Sequence, residues 1–344
     1  IQINWIPKMQ TFAARLNRNP RAEIPSVLTD WVAGAVEDPQ VLPEDGPRGE
    51  RVQRTERRGR AVAAEEVVEG LNGGEDARVF RVRSGDQDRV LRVSYEPRGD
   101  HEVEWVSRWL EHVATTVPQA VPREARGGRS FFRTAGGGIA TVLPFVEGIR
   151  PRRGDPGALQ QAAALLAGIH QASLSWVGSR SGPPPSGPRM VPTPRAFLDP
   201  ELDTAWAAAV ESGLQAGAVH GDFYAGNLLA RDGAVVAILD WDDGRVQPLL
   251  LETAGAIFEF ARNEDHRLDM ERARRFLRRY RSSGGPLADR ELEFLGVAMR
   301  EWVRRDARVS LAFDPSGGRY VERQARAFRE LTADAAELGR STPL

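Results

Sequence analysis

The segment from His220 to Asn227 concentrates residue types that could carry out phosphoryl chemistry. An apolar, β-branched run follows at residues 235–239 and ends at Asp240. Phosphoryl transfer from a nucleotide needs a group that orients the acceptor hydroxyl, oxygen ligands for a divalent cation and a clamp on the phosphates. Carboxylate and amide oxygens are ligands that suit Mg²⁺, which usually keeps several waters. We therefore expect Asp222 to accept the hydroxyl proton, and Asn227 and Asp240 to bind Mg²⁺.

This stretch resembles the catalytic motif of the aminoglycoside phosphotransferase family of small-molecule kinases. The family's H-G-D-x-x-x-x-N loop and its apolar strand ending in I-D-W are matched, one position for one, at His220, Asp222, Asn227 and Asp240. The resemblance covers residues 64 to about 305. It implies an α+β, bilobal, protein-kinase-like fold, with a small antiparallel-sheet N-lobe and a mainly helical C-lobe. It also implies that His220 braces the loop rather than taking part in the chemistry.

Two further segments resemble the nucleotide-binding parts of that family. Residues 71–82 are similar to its glycine-containing hairpin, in which Gly73 and Gly74 would let backbone N–H groups approach phosphate oxygens. The connection between the lobes has its counterpart near Phe145 and Val146, whose backbone would bind the purine. An ordinary hairpin and an edge strand are the alternative interpretations. Since backbone atoms would contact the base, ATP and GTP are equal candidates.

Arg92 stands where the family usually has a lysine that pairs with the nucleotide phosphates. Arginine keeps the positive charge but adds a planar fork, so the exchange is not neutral. The resemblance implies a carboxylate partner on the following helix. Glu102 and Glu104 lie on different faces of that helix, and we expect Glu104 to hold Arg92. The alternative is an exposed arginine on a strand.

The segment after the second metal ligand departs from the family pattern. Many relatives have D-P-x-x-D-L-A there, whereas this chain has Gln247 before Pro248 and Glu252 at the later acidic position. We expect Glu252 to take the bracing role of that later carboxylate.

The acceptor is expected to contact residues near the metal site, among them Asp242, Asp243, Glu259 and Tyr224. Carboxylates there would suit a cationic acceptor such as an aminoglycoside or a peptide antibiotic, while the aromatic residues would suit a nucleoside. A solvated helix face or salt bridges to downstream arginines are the alternatives. We therefore predict an ATP- or GTP-dependent O-phosphotransferase acting on an antibiotic, in resistance or self-resistance. The rival functions are a kinase of homoserine, choline or a sugar, and a catalytically inactive binding protein.

The elements that must position these residues follow from hydrophobic periodicity and turn signals. Residues 1–60 are interpreted as an arm, a short helix at 24–36 and a linker; residues 61–147 as the N-lobe; and residues 148–344 as the C-lobe. The N-lobe would hold five strands and one helix, at 63–71, 77–83, 89–94, 100–113, 130–133 and 140–145. The C-lobe would hold a strand-loop-strand stretch at 218–243 and helices at 156–172, 204–213, 269–282, 289–309 and 319–338.

Composition excludes several classes of protein. The 344 residues include no cysteine, which rules out disulfides and thiolate metal sites. A net charge of −1 argues against a nucleic-acid partner. Apolar runs are too short for a membrane span and residues 1–10 lack a secretory signal, so we expect a cytoplasmic protein. The expected partners are a nucleoside triphosphate and a small hydroxylated acceptor, with no membrane, in a monomer or homodimer.

Overall fold

The computed structural model describes residues 65–71, 77–84, 86–94, 98–125, 128–134, 137–176 and 184–340. The described chain divides into two compact units. One holds the first three strands with Arg123–Phe145, and the other holds Arg98–Pro122 with the chain from Val146 onward. The predicted helix at 24–36, the linker, Gly73 and Gly74 lie outside the described residues.

The first unit is a five-stranded antiparallel sheet, as predicted. Its spatial order is β1-β2-β3-β5-β4, with β1 (Glu65–Leu71), β2 (Ala77–Ser84), β3 (Gln87–Ser94), β4 (Phe132–Arg133) and β5 (Ile139–Pro144). Alternation along β3 buries Leu91 and Val93 against Val82, Ala140 and Val142.

The second unit is mainly helical, so the predicted α+β class is confirmed. Its helices are α1 (Asp100–Ala114), α2 (Pro156–Ser175), α3 (Pro200–Glu211), α4 (Leu249–Ala261), α5 (Met270–Ser282), α6 (Asp289–Leu292), α7 (Leu295–Phe313) and α8 (Gly318–Arg340). Two antiparallel strand pairs join β6 (Ala216–Val219) to β9 (Arg245–Pro248) and β7 (Leu228–Arg231) to β8 (Ala234–Ile238). Within the described residues, no helix is long and apolar enough to cross a membrane.

Helix α1 packs in the helical unit, whereas the sequence interpretation groups it with the N-lobe. Trp105 and Trp109, one turn apart, are both buried as its predicted packing stripe. The Trp109 indole N–H donates to the Val219 carbonyl at 3.1 Å, which ties α1 to β6. The two units divide between Phe145 and Val146, two residues before the predicted boundary.

Helix α4 is not among the elements that the sequence analysis predicts. All of its residues are buried, because it is mostly apolar and therefore lacks the exposed polar face of a surface helix. Its two carboxylates, Glu252 and Glu259, are seven residues apart, which places them on one face and about 10 Å apart along the axis. This helix thus supplies buried charge at two neighbouring places.

The predicted helix at 289–309 is interrupted, forming α6 and α7. Glu291 lies in the short α6 and caps its start, because its carboxylate accepts from the Ala288 N–H at 2.9 Å and also from the Gln215 N–H at 2.7 Å. The contact with Gln215 spans 76 residues, so helical periodicity does not show it.

Candidate active site

The loop from His220 to Asn227 connects β6 to β7 and turns sharply at Gly221. Gly221 has φ +92°, and a Cβ built there would lie 2.0 Å from the Asp243 carbonyl oxygen. Only glycine fits this left-handed, closely approached position. The loop is thereby held against the segment that carries Asp240.

Asp222 and Asn227 are joined inside this loop. The Asn227 amide Nδ2 donates to both the carbonyl oxygen and the Oδ2 of Asp222, each at 2.9 Å. A 3₁₀ turn at Ala225–Asn227 brings the two side chains together. Because Nδ2 is committed to Asp222, the Oδ1 of Asn227 is the atom that these bonds leave for a metal.

The carboxyl of Asp222 has a pKa raised well above its usual range. Burial is the main cause, and the charges of Asp243, Asp240 and Asp306 add to it, while the hydrogen bond from Asn227 opposes it. A bound cation or an incoming hydroxyl donor would relieve this concentration of negative charge. Asp222 is therefore placed where a general base and a metal would be mutually favourable.

Asp240 follows β8 with φ +58°, in the left-handed region. Aspartate tolerates this conformation better than most non-glycine residues, and such backbone positions are frequent at functional sites. The Leu239 N–H donates to the Asn227 carbonyl at 2.7 Å, so the backbone fastens the two loops together immediately before Asp240.

These residues fit a magnesium ion. Mg²⁺ is commonly held by one or two protein carboxylates plus waters and phosphate oxygens. The amide oxygen of Asn227 and the carboxylate of Asp240 supply two such donors. Among the described residues no group of three or more His, Cys, Asp or Glu side chains could hold a metal ion.

His220 holds the two loops from inside. Its Nε2 lies 2.9 Å from the Leu239 carbonyl, and its Nδ1 accepts from the Asp222 N–H at 3.2 Å. Burial lowers the pKa of His220, which keeps the ring neutral. The ring also packs against Trp241, with centroids 4.6 Å apart. This geometry agrees with the bracing role that the resemblance implies.

Glu252 makes the bracing contact predicted for it. Its Oε1 accepts from the Gly221 N–H at 2.6 Å, and its Oε2 lies 2.9 Å from Nε2 of His170. The Nδ1 of His170 in turn lies 2.7 Å from the Tyr280 hydroxyl. Sequence analysis assigned no role to His170 or Tyr280, and their helical positions gave no signal of one.

Arg245 is a second brace that the sequence analysis missed. Its Nη1 donates to the Asp243 carbonyl at 2.8 Å and its Nη2 to the Gly221 carbonyl at 3.2 Å. Its Nε donates to Gln247 at 3.1 Å. The departure from the family pattern at Gln247 was the available signal, because an amide there can orient a neighbouring arginine.

The predicted acceptor residues have different surroundings. The Asp242 carbonyl accepts from Arg98 at 2.5 Å. Glu259 is buried, and its Oε1 lies 2.6 Å from Nη2 of Arg262. Burial and the charge of Asp222 raise the pKa of Tyr224, the second residue after Asp222 in the loop. Asp243 contributes its backbone to the brace described above, and its charge acts on Asp222.

Two of the predicted nucleotide-binding residues, Arg92 and Glu104, lie on different elements. Arg92 lies on β3, paired in register with Val79 and Thr141. Glu104 is exposed on α1, while Glu102 accepts from the Gly99 N–H at 3.0 Å as part of a capping box. Arg92 and Glu104 belong to different units, so their pairing stays a prediction.

The predicted hinge residues lie on either side of the division between the units. The Phe145 N–H donates to the Asp88 carbonyl at 3.2 Å, and its ring lies 4.2 Å below the Arg81 guanidinium. Val146 is partly buried at the start of the second unit. Purine binding at these residues stays a prediction.

Comparison with known proteins decides the family. A family model described as the phosphotransferase enzyme family matches residues 67–293, which include the whole catalytic loop and both metal-ligand candidates. The chain belongs to the phosphotransferase enzyme family. The resemblance found at residues 220–240 is thereby confirmed, and the protein is a small-molecule kinase.

Relatives within and around this family agree in fold. A homoserine kinase from Acidiphilium cryptum is 27% identical over 261 residues, covering 70% of this chain and 78% of that protein. The solved amicoumacin kinase hAmiN, in complex with AMP-PNP, Ca²⁺ and Ami, superposes with a TM-score of 0.58 at 13% identity, covering 77% of this chain and 89% of the other. The aminoglycoside phosphotransferase APH(4)-Ia gives 0.52 at 19% identity, covering 78% and 95%. The structural likenesses establish the kinase-like fold.

Proposed function

We propose that this phosphotransferase moves the γ-phosphoryl group of ATP or GTP, with Mg²⁺, onto the hydroxyl of a small amino acid, with homoserine as the first candidate. The observation that carries the proposal is the joined pair Asp222 and Asn227, fastened through Leu239 to Asp240. This arrangement offers a base and two metal-ligand oxygens within one pair of braced loops.

Each residue has a defined part in the proposed reaction. Asp222 accepts a hydrogen bond from the acceptor hydroxyl, orients it and takes its proton as the new P–O bond forms. Asn227 and Asp240 hold Mg²⁺, which when bound neutralises charge on the transferring phosphoryl group. Because phosphoryl transfer is mostly positioning and electrostatics, the rigidity supplied by His220 and Glu252 contributes directly to rate.

The acceptor class rests on two supports. The relative described above is a homoserine kinase, and its alignment spans most of both chains. In addition, the buried carboxylate of Glu259 forms an ion pair with Arg262, although its Oε1 makes no hydrogen bond among the described residues, so a polycationic ligand would have to compete with Arg262 for it. This local balance of charge suits a small zwitterion better than an aminoglycoside.

An antibiotic acceptor is the second candidate. The observation that favours it is the pair Asp242 and Asp243, whose carboxylates follow directly on the metal-ligand candidate Asp240. A cationic ring could approach these side chains while its hydroxyl meets Asp222.

Transfer of label from [γ-³²P]ATP and [γ-³²P]GTP distinguishes the candidates. The acceptors are L-homoserine, choline, an aminoglycoside and a peptide antibiotic, each with Mg²⁺ and with EDTA. We expect magnesium-dependent labelling of homoserine, confirmed by mass spectrometry of the phosphate ester, with Asp222→Asn as the inactive control. Labelling of an antibiotic alone would select the second candidate, and no transfer to any hydroxyl would contradict the proposed function.

A further inference from the structure

Arg262 is a buried guanidinium beside the candidate active site that the proposed chemistry does not use. It directly follows α4, and its exposed fraction is only 2%. Its Nη2 contacts both oxygens of Glu259, at 2.6 and 2.7 Å. Its Nε and Nη1 are buried and find no hydrogen-bond partner in the part of the chain that the structure describes.

Unused donors on a buried cation are costly. Leaving a buried polar group without a hydrogen-bond partner costs about 1–3 kcal/mol of folding stability, and more when the group is charged. The rings of Phe258 and Tyr320 lie 5.5 and 6.0 Å from the guanidinium carbon, but contacts with ring faces do not satisfy in-plane N–H groups. Such a group in a native fold calls for a ligand or another explicit reason.

A second arginine contacts the same glutamate. Nη2 of Arg153 lies 3.6 Å from the Oε2 of Glu259, so two guanidiniums share one carboxylate. Burial and then the charge of Arg262 lower the pKa of Arg153. Burial acts to lower the pKa of Arg262, but the charges of Glu259 and of Asp306 raise it. A ligand carboxylate would supply acceptors for the Nε and Nη1 donors that have no partner among the described residues.

This cluster borders the catalytic loop. Phe260 directly follows Glu259 in α4. Its ring packs against the ring of Phe223, with the ring centroids 6.0 Å apart. The charge of Glu259 contributes to the raised pKa of Tyr224, two residues after Asp222. The cluster is therefore within the electrostatic reach of the loop that would receive the acceptor hydroxyl.

We propose that Arg262, together with Arg153, binds the carboxylate of the acceptor, so that this kinase selects hydroxylated compounds carrying a free carboxylate. This inference rests on the proposed function and adds the group that is recognised. Guanidinium forks bind carboxylates with paired, charge-assisted hydrogen bonds. The Arg153 side chain is 40% exposed and Arg262 only 2%, so Arg153 is the member of the pair that solvent reaches.

The test compares L-homoserine with 3-aminopropan-1-ol, which is homoserine without its carboxylate. We expect kcat/KM of the wild-type enzyme to favour homoserine by about a hundredfold or more, because a site built for a polar group rejects the analogue that lacks it. Arg262→Gln should remove most of this preference by raising the KM for homoserine. Its activity on 3-aminopropan-1-ol should change little.

Arg304→Gln is the matched control variant. Arg304 is also a buried arginine, 7% exposed, and pairs with a glutamate three residues before it, Glu301. Its other partner is Asp203 of α3, at 2.5 Å. We expect Arg304→Gln to lower the melting temperature but to keep the homoserine preference, which separates carboxylate recognition from the general loss of a buried ion pair.

The outcomes separate this inference from the proposed function. Transfer to homoserine with no preference over 3-aminopropan-1-ol, or an equal loss on both compounds in Arg262→Gln, overturns carboxylate recognition and leaves the proposed function standing. If no phosphoryl group is transferred to homoserine, calorimetric titration with homoserine tests the carboxylate site by itself. Binding that is lost in Arg262→Gln but kept in Arg304→Gln would support that site without supporting the proposed function. The absence of both transfer and binding overturns both proposals.

Discussion

At the residue scale, the position of the catalytic carboxylate depends on an amide five residues away. Asn227 donates twice to Asp222, through its backbone carbonyl and its side chain. Its Oδ1 is the atom that these bonds leave for a metal. We therefore predict that Asn227 couples the proposed base to the proposed cation site.

Asp222→Asn keeps the shape of the side chain and removes its negative charge. We expect turnover to fall by about a hundredfold or more, the range for loss of a general base, while nucleotide affinity stays close to the wild-type value. Steady-state kinetics beside nucleotide titration measures both. Near-normal turnover in a folded variant would refute the catalytic assignment, and equal losses of affinity, melting temperature and turnover would indicate a brace only.

Asp240→Asn tests the metal assignment with a matched control. Asparagine tolerates the left-handed backbone of Asp240, φ +58°, so the change isolates the charge. Asp232 is an exposed aspartate with φ +52°, and Asp232→Asn is the control. We expect affinity for magnesium-nucleotide to fall about tenfold or more in Asp240→Asn only. Calorimetric titrations that match in both variants would show that Asp240 is not a ligand.

At the element scale, the catalytic loop is held by a close approach at one glycine. Gly221→Ala would place a methyl group 2.0 Å from the Asp243 carbonyl oxygen, in addition to the strain of φ +92°. We expect destabilisation of about 1–3 kcal/mol together with a large loss of turnover. Gly233→Ala is the control, because φ is +79° there but no atom lies within 4 Å. We expect both the melting temperature and kcat to fall further in Gly221→Ala than in Gly233→Ala. Equal decreases in the two variants would mean that backbone strain, and not the close approach of the two segments, matters at Gly221.

The buried carboxylate of Glu252, in α4, should make the free energy of unfolding depend on pH. Burial acts to raise the pKa of Glu252, but the hydrogen bond and charge of His170 and the hydrogen bond from the Gly221 N–H lower it below the ordinary value. A carboxyl whose pKa is lowered by folding stabilises the fold above its unfolded pKa, and this contribution is lost as the pH falls through the folded pKa.

Glu252→Gln should therefore be less stable than the wild-type protein at pH 7. Its free energy of unfolding should be lower by about 2 kcal/mol or more. The difference in free energy of unfolding between the two proteins should narrow progressively below about pH 4.3, the unfolded pKa of glutamate. Thermal unfolding of both proteins across pH 3 to 7 measures it. A gap that is constant over this range would contradict the ionised state of Glu252.

At the scale of the whole molecule, Arg92 and Glu104 belong to different compact units, and the sequence predicts that they pair. Arg92→Ala should weaken nucleotide binding and lower turnover, whereas Arg92→Lys should retain much of the activity. In a double-mutant cycle with Glu104→Ala, a pair in contact should show coupling of about 0.5 kcal/mol or more in nucleotide affinity.

The matched cycle replaces Glu104→Ala with Glu102→Ala, since Glu102 is used to cap α1. We expect its effects to add to those of Arg92→Ala. Additive effects in both cycles would remove Glu104 as the partner. Unchanged kinetics in Arg92→Ala would place that residue outside the nucleotide site.

The sequence by itself determined the family and the proximity of Asp222 and Asn227, because both rest on one short stretch of chain. The catalytic roles of these residues stay predictions. Asp222 and Asn227 are five residues apart, a separation that one short loop closes whatever surrounds it. Period-2 alternation and turn signals likewise predict the five strands of the first unit, since side-chain direction along a strand follows from backbone geometry alone. Glu252 was also predictable, through its position in a family pattern.

Only the tertiary structure decided which residues hold that loop and which charge lies beside it. Arg245 reaches Gly221 across 24 residues, and His170 reaches Glu252 across 82. Arg262 has no distinctive sequence context. It is buried because it directly follows α4, whose residues are all buried. Such partners are selected by how helices pack, and packing joins positions whose separation along the chain carries no spacing signal.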